Sequence, residues 1–152
     1  MTFLEELADI LHREEGEVLE LYNDTKGFKT GGCGHLLIEA DGDLYHAPLG
    51  TPISQEQSDA WFEQDVQTCI NDAHWLHPDL DDHPQAVGVV IAAMAYQLGL
   101  PSLSRFKLFH QAIQDRLYDR AADEMLDSKW ARIDTPARAE RMAQRIRSGE
   151  YT

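Results

Sequence analysis

The stretch that decides the fold runs from Arg13 to Leu37 and reads REEGEVLELYNDTKGFKTGGCGHLL. It places Glu15 at the end of an amphipathic helical pattern, which Gly16 is expected to terminate. Residues 23–27 have a turn composition, and Asp24 lies among them. Extended segments flank this turn, so the stretch predicts a helix end, a strand and a turn that together carry two carboxylates.

A pair of carboxyl groups in such different settings is typical of glycoside hydrolysis. One carboxyl must stay protonated to donate to the leaving oxygen, while the other must stay ionised near the reacting centre. Glu15 is expected at the negative end of a helix dipole, which disfavours its charge. Asp24 is expected in a turn whose backbone N–H groups stabilise a negative charge. The two settings therefore differ in the direction that the reaction requires.

The segments on either side of this stretch predict one helix and a small sheet. Thr2 and Glu5 have the spacing of a capping box, and apolar residues recur behind them at helical spacing, so we predict a helix over residues 2–14. A second extended stretch, residues 28–38, precedes Asp41-Gly42, which is a hairpin signal. These features predict an antiparallel sheet of about three strands.

The remainder of the chain is predicted to be helical. Ser54 and Gln57 form a second capping-box pattern, at the start of a long helix that reaches about Trp75. The segment QAVGVVIAAMAYQLG, residues 85–99, is apolar over most of its surface, so we expect it at the centre of a helical core. Further helices are expected near residues 104–117 and 119–128 and from Thr135-Pro136 to Gly149.

These elements predict a mostly helical α+β fold in which a single domain, residues 1–152, has two lobes. The small β-sheet lobe is expected at about residues 15–53, and a connecting helix at about 54–75. The larger helical lobe is expected to combine residues 76–152 with the N-terminal helix, residues 2–14. A cleft between two such lobes would suit an extended polymer.

The segment HPDLDDHP, residues 77–84, lies between the two longest predicted helices. It contains His77, His83 and three aspartates, and His74 precedes it. A polar interhelical loop is the expected structure, and adventitious binding of a divalent metal is the alternative.

Cysteine and tryptophan positions predict no special chemistry. Cys33 and Cys69 lie in no CxxC or CxxH pattern, so we expect free, partly buried thiols rather than a zinc site or a disulfide. Trp61, Trp75 and Trp130 are expected in the core rather than in a platform that stacks on sugars.

Charge and hydropathy exclude several classes of partner. The formal net charge of −14 argues against nucleic-acid binding, and no run of 18 apolar residues predicts a membrane span. The acidic N-terminus does not resemble a secretion signal, so we expect the protein to fold in a cytoplasm. We also expect a monomer, because a cleft that binds a polymer gains nothing from pairing. The C-terminal end is locally basic through Lys129, Arg132, Arg138, Arg141, Arg145 and Arg147.

A longer motif surrounds the two carboxylates. Glu15-Gly16 is followed by Asp24-Thr25-x-Gly27-x-x-Thr30-x-Gly32-x-Gly34-His35-Leu36. Four further blocks follow in order: Gln64-Asp65-Val66, Tyr96-Gln97-Leu98-Gly99, Ser128-Lys129-Trp130, and Thr135-Pro136-Ala137-Arg138-Ala139 with Arg141. Together these blocks resemble the phage T-even-type lysozyme family, glycoside hydrolase family 24, over essentially the whole chain.

The resemblance implies a two-lobed lysozyme fold and a muramidase that cuts bacterial peptidoglycan, with no metal or organic cofactor. Glu15 matches the general acid, and Asp24 and Thr30 match the pair that holds the attacking water in an inverting reaction. His35 and Asp65 match a structural ion pair. The resemblance also implies substrate-binding or supporting roles for Arg138, which pairs with the catalytic glutamate, and for Gln97, Gly34 and Leu36. Such an enzyme would stay in the host cytoplasm until lysis.

Four features depart from the family pattern. Ala93 stands where a polar asparagine is expected, and Cys33 replaces an aliphatic residue. The segment from Arg132 to Asp134 is one residue longer than usual, and the chain is acidic where the family is often basic.

Three other functions remain open at this point. A lysozyme-like module could bind peptidoglycan without cutting it, although the presence of Glu15, Asp24 and Thr30 argues against that. The same domain could serve as a bacteriocin or effector killing domain, for which no targeting segment is seen. A lytic transglycosylase would use one carboxylate and leave an anhydro-sugar, which the presence of Asp24 and Thr30 disfavours.

Overall fold

The computed structural model describes residues 1–151, and this part of the chain divides into two compact units. One unit is Asp9–Gln67, here called the sheet unit. The other combines Met1–Ala8 with the chain from Thr68 onward and is here called the helical unit. Within residues 1–151, none of the helices is both long enough and apolar enough to cross a membrane.

The elements follow one another in the order helix, sheet, helices. The strands are β1 (Val18–Asn23), β2 (Lys29–Gly32) and β3 (His35–Leu36). The α-helices are α1 (Phe3–Glu15), α2 (Asp43–His46), α3 (Gln55–Leu76), α4 (Gln85–Leu98), α5 (Leu100–Leu103), α6 (Lys107–Gln114), α7 (Tyr118–Leu126) and α8 (Pro136–Ser148). The predicted mostly helical α+β fold with a small antiparallel sheet is confirmed.

Both predicted capping sites lie where the sequence places them. The amide of Glu5 donates to the hydroxyl of Thr2 at 3.1 Å, and the amide of Thr2 donates back to the Glu5 carboxylate at 3.1 Å. At the start of α3, the amide of Gln57 donates to the Ser54 hydroxyl at 3.0 Å. Each bond satisfies an amide that has no partner within its helix, which stabilises the helix start by about 1 kcal/mol.

The sheet is antiparallel, in the order β1-β2-β3. Tyr22 lies opposite Thr30 in the first pair of strands, and Thr30 lies opposite Leu36 in the second. Because directly opposed residues project from the same face of a sheet, these three side chains share one face.

The predicted hairpin at Asp41-Gly42 is wrong. Residues 28–38 form two strands rather than one, since Gly32 (φ +62°) and Gly34 (φ +71°) turn the chain between them. The Asp41 carboxylate accepts a hydrogen bond from the amide of Ile38 at 2.8 Å, and Gly42 leads into α2. A side chain that bonds back to the local backbone produces a turn before a helix here.

A small apolar cluster supports the sheet. Leu21 from β1 packs with Leu37, Ile53 and Trp61, and each of the four is buried. The segment 50–53 runs beside β1, where the amide of Leu21 donates to the Thr51 carbonyl at 3.0 Å. The cluster fixes the position of β1 and, through it, the turn that carries Asp24.

The core of the helical unit is built around α4. Residues 86–95 are all buried, as the apolar segment predicts, and Pro84 and Gly99 cap the two ends. Phe109 from α6, Met125 from α7 and Ile146 from α8 are also buried in this unit. Each side chain of this size contributes about 1.5–3 kcal/mol when it leaves water.

A single π-helical turn, Trp130–Asp134, precedes α8. The amide of Thr135 donates to the carbonyl of Trp130 at 2.9 Å, which is the five-residue spacing of a π-turn. A π-turn holds one residue more than an α-helical turn, so this segment is wider than the helices on either side of it.

Several predicted environments differ in the structure. Trp61 and Trp130 are buried, but Trp75 is 70% exposed, so its placement in the core is wrong. Segment 77–84 is an interhelical connection, as predicted, but His77 and His83 within it are buried, which the sequence did not indicate. Both cysteines are free, as predicted.

Candidate active site

Glu15 is the last residue of α1, and its side chain is half-buried. Gly16 ends the helix with φ +65°, and its amide donates to the carbonyl of His12 at 3.0 Å. The carboxylate lies against Gly34, because a Cβ atom built on Gly34 would lie 2.8 Å from Oε2 of Glu15. Glycine at position 34 therefore provides both the left-handed turn and the space for the acid.

Asp24 lies in the turn between β1 and β2 and is half-buried. Its Oδ1 atom accepts hydrogen bonds from the amides of Lys26 at 2.9 Å and Phe28 at 2.8 Å. Its own amide donates to the Phe28 carbonyl at 2.9 Å. Two N–H donors stabilise the carboxylate charge and fix the direction in which the other oxygen points.

Thr30 lies on β2 and is only 4% exposed. Its hydroxyl donates to the carbonyl of Phe28 at 2.8 Å. Because that bond uses the single hydroxyl proton, the oxygen can still accept a hydrogen bond from a water molecule. Phe28 thus holds Asp24 through its amide and Thr30 through its carbonyl, so one residue sets the positions of both side chains.

Tyr22 also belongs to this group, although it stands in no recognisable motif. Its pKa is raised, first by burial and then by the negative charges of Glu15 and Asp24. The phenol therefore lies within the electrostatic reach of both carboxylates, and it shares the face of Thr30. The signal in the sequence was its strand position, since Tyr22 stands two residues before the turn aspartate.

His35 on β3 is buried and contacts two carboxylates and an indole ring. Its Nδ1 atom lies 2.6 Å from a carboxylate oxygen of Asp65 on α3, and its Nε2 atom lies 3.0 Å from Asp41. The ring stacks on Trp61 with a centroid separation of 4.4 Å. Burial lowers the pKa of His35, but the bonds and charges of Asp65 and Asp41 outweigh it, so the pKa is raised. Asp41 was missed because its spacing indicated a hairpin.

Leu36 and Gly34 flank His35 on β3 and on the turn before it. Leu36 is 49% exposed and lies opposite Thr30, so an apolar surface adjoins the hydroxyl. Gly34 is half-buried against Glu15.

Gln97 and Arg138 lie in the helical unit. The Gln97 side chain accepts a hydrogen bond from the indole N–H of Trp130 at 3.1 Å and donates to the hydroxyl of Thr135 at 3.2 Å. It therefore connects the end of α4 to both ends of the π-turn. Arg138 is in the first turn of α8 and is half-buried.

Comparison with known proteins identifies the family. The phage lysozyme family model matches residues 12–145. The chain belongs to the phage lysozyme family. It is therefore a glycoside hydrolase, as the sequence resemblance predicted.

Individual members of the phage lysozyme family are related over different shares of their length. A "Probable T4-type lysozyme 2" of Dictyostelium discoideum is 29% identical over 94% of both chains. The "Peptidoglycan hydrolase gp36" of Pseudomonas phage phiKMV is 31% identical over 84% of this chain and 13% of its own length. The "Pre-baseplate central spike protein Gp5" of Enterobacteria phage T4 is 27% identical over 94% of this chain and 28% of its own.

Cys33 lies between Gly32 and Gly34, and its side chain is buried next to His12 and Glu17. It is 2% exposed, and its Sγ atom lies 3.7 Å from His12 Nδ1 and 3.7 Å from a Glu17 oxygen. Burial, followed by the charge of Glu17, raises the pKa of the thiol to about 11. The thiol is therefore protonated at neutral pH, which makes it a poor nucleophile.

No trio of His, Cys, Asp or Glu side chains within residues 1–151 is arranged to hold a metal ion.

Proposed function

We propose that this lysozyme hydrolyses the β-1,4 bond between N-acetylmuramic acid and N-acetylglucosamine in bacterial peptidoglycan. The observation that carries the proposal is the arrangement of Glu15, Asp24 and Thr30. One carboxylate lies against Gly34 at the end of a helix, and the other is connected to a buried hydroxyl through the backbone of Phe28. The relative from phage phiKMV, named a peptidoglycan hydrolase, supports the substrate class.

In the proposed reaction, Glu15 donates its proton to the glycosidic oxygen as the bond to the anomeric carbon breaks. A water molecule held by Asp24 and Thr30 attacks the opposite face of that carbon and gives its proton to Asp24. The Thr30 oxygen accepts one hydrogen bond from this water and directs it. Attack from the opposite face inverts the configuration at the anomeric carbon.

Supporting roles follow from the positions of the other residues. Tyr22 lies near both carboxylates, and its raised pKa keeps the phenol protonated, so it can donate a hydrogen bond beside them. Leu36 provides an apolar surface for a sugar ring. Arg138 and Gln97 are proposed, by family resemblance, to support the glutamate and the substrate.

The test compares the parent protein with Glu15→Gln and with a neighbouring control, Glu14→Gln. We expect the parent and the control to clear a suspension of purified walls and to release reducing muramic-acid ends. We expect Glu15→Gln to lose at least a hundredfold in rate, because no proton donor remains. The configuration of the first-formed product, followed by NMR, distinguishes inversion from retention.

Other outcomes would replace the proposal. Binding to walls with no clearing by the parent would identify a non-catalytic binding module. Products with anhydro ends would identify a lytic transglycosylase that keeps Glu15 as its acid. A fully active Glu15→Gln variant would exclude Glu15 as the acid.

A further inference from the structure

Three histidines meet inside the helical unit, in a group here called the histidine cluster. His77 follows the end of α3, His83 precedes α4, and His110 lies on α6. His77 is fully buried, His83 is 6% exposed and His110 is half-buried. The rings of His77 and His110 are 4.9 Å apart between centroids, and those of His77 and His83 are 6.4 Å apart. Three imidazole rings thus lie together around His77, and two of them are buried.

Hydrogen bonding fixes where the protons of this cluster lie. The Nε2 atom of His110 lies 2.8 Å from the carbonyl of Leu103, which can only accept, so Nε2 carries the proton. The Nδ1 atom of neutral His110 is then a bare acceptor, 2.8 Å from Nε2 of His77. That nitrogen must therefore donate, which leaves Nδ1 of His77 bare. This atom is buried and makes no hydrogen bond within the described residues.

The third ring is connected to α7 and to a carboxylate. Nδ1 of His83 lies 2.7 Å from the hydroxyl of Tyr118, and its Nε2 lies 3.4 Å from an oxygen of Asp79. The same Asp79 oxygen lies 3.3 Å from the guanidinium of Arg116. Asp79 is thus shared between an arginine and His83. On the outer side, His74 and Asp81 form a separate, exposed pair at 3.3 Å.

An additional proton is costly in this arrangement. On His110 it would either place two N–H groups against each other at 2.8 Å or move the proton of His77 to its buried Nδ1 atom, which has no hydrogen-bond partner within the described residues. On His77 it would create a buried cation next to two other imidazoles, which is costly without a partner. The pKa of His77 is accordingly lowered to about 4, first by burial and then by His110 and His83. Burial also lowers the pKa of His110, although its bond to Leu103 opposes that shift.

We propose that the paired rings of His77 and His110 form an acid-released latch, which joins the segment after α3 to α6 while both rings are neutral and separates when they are protonated. The latch depends on ring contacts within the helical unit and on no feature of the catalytic residues. It is a property of the fold that would operate whatever the substrate.

The way in which the stability of the latch depends on pH follows from the lowered pKa of His77. An opened or unfolded histidine takes up a proton near pH 6.5, whereas His77 in the closed latch does so only near pH 4. The stability that the latch contributes is therefore complete above about pH 6.5. It decreases as the pH falls below that value, and the loss is complete near pH 4.

The test replaces His77 with glutamine, whose side-chain N–H can still donate to His110 but cannot be protonated. The matched control is His46→Gln, at an exposed histidine of the sheet unit. Urea unfolding of the full chain is measured at pH 7.5 and pH 5.5, because few carboxylates titrate between them. When the pH is lowered from 7.5 to 5.5, we expect the equilibrium constant for unfolding to rise about tenfold less in His77→Gln than in the parent. In His46→Gln it should rise by the same factor as in the parent.

Parallel losses in the parent, His77→Gln and His46→Gln would overturn the proposal. Should His77→Gln fail to fold, NMR of the parent provides the second test through the histidine ring nitrogens. We expect His77 to remain neutral at pH 5.5 in the folded protein. We also expect amide exchange, corrected for the intrinsic rate, to accelerate in α6 between pH 7.5 and pH 5.5 by more than it does in α4. Ordinary titration of His77 near pH 6.5, with unchanged exchange in α6, would exclude the latch.

Discussion

Gly34 shows at the scale of one residue how the site depends on space as well as on charge. A Cβ atom at this position would lie 2.8 Å from Oε2 of Glu15, which is closer than carbon and oxygen can approach. The contacting atom ends a flexible side chain, so the carboxylate would move rather than the backbone. We therefore expect Gly34→Ala to displace the proposed acid while the chain still folds.

The first prediction is that Gly34→Ala lowers kcat for wall clearing at least tenfold and destabilises the protein by about 1–2 kcal/mol, the cost of a side chain at positive φ. Gly149→Ala is the matched control, because Gly149 has φ +67° and lies at the end of α8. We expect a similar loss of stability there with little change in kcat. Equal kcat losses in the two variants would show that the backbone, rather than Glu15, is responsible.

Tyr22 leads to a second prediction at this scale. Its raised pKa keeps the phenol protonated across the working range, so the group acts through its O–H and not as a phenolate. Tyr22→Phe should lower kcat about three- to tenfold and change the pH profile of activity, because the carboxylates lose a neighbouring donor. The melting temperature should change little. An unchanged pH profile would mean that Tyr22 only fills space.

At the scale of elements, the His35 contacts connect the sheet to α3. We expect Asp65→Asn to destabilise the protein by about 2 kcal/mol, since a mostly buried ion pair loses one charge while Asp41 remains. The pKa of His35 is raised in the fold, so this stabilisation is complete below pH 6.5 and is lost as the pH rises through the raised value. The penalty should therefore be larger at pH 5.5 than at pH 9.

The measurement is urea unfolding of the parent and Asp65→Asn at both pH values. Glu63→Gln, an exposed change on the same helix, is the control and should show the same small effect at each pH. The difference in the free energy of unfolding between variant and parent removes the contribution of groups that titrate in the same way in both proteins. A penalty for Asp65→Asn that grows with pH would contradict the assignment.

Elements whose signals are local could be predicted from the sequence. The capping boxes at Thr2 and Ser54 depend on residues three positions apart, and both helices begin beside them. Asp41 was misinterpreted because its carboxylate bonds to the amide of Ile38 and to the ring of His35. These bonds depend on the surrounding structure and are not indicated by the dipeptide Asp-Gly. The burial of His77 and His83 could not be predicted for a similar reason, since it depends on ring contacts with His110 and Tyr118, which are distant in the sequence.

In the candidate site too, residues in a local motif could be predicted from the sequence, whereas a residue placed by strand pairing could not. Glu15, Asp24 and Thr30 stand in a motif whose spacing is visible in the sequence, and the structure places all three in the sheet unit. Tyr22 carries no motif of its own, and its proximity to both carboxylates follows from the register of β1 and β2. Register is set by pairing and packing, so it could not be predicted as firmly as the motif.

At the scale of the whole molecule, the charge of −14 opposes approach to an anionic wall. The basic residues of the C-terminal end offset this repulsion less than their number in the sequence indicates, because several of them are paired or buried. Arg132 pairs with Asp127, Arg147 lies 2.5 Å from Asp123, and Arg145 is buried. At distances longer than an ion pair, the wall should therefore be repelled by the net negative charge of the protein more than it is attracted by these arginines.

The last prediction is that wall clearing becomes faster as sodium chloride rises from 10 to about 150 mM, because the screening length falls from about 30 Å to about 8 Å. Cleavage of a short, uncharged oligosaccharide by the same protein is the control and should not respond to salt. A rate on walls that falls steadily with salt would show instead that the remaining arginines of α8 attract the polymer. That result would assign wall binding to local positive charge, against the sign of the net charge.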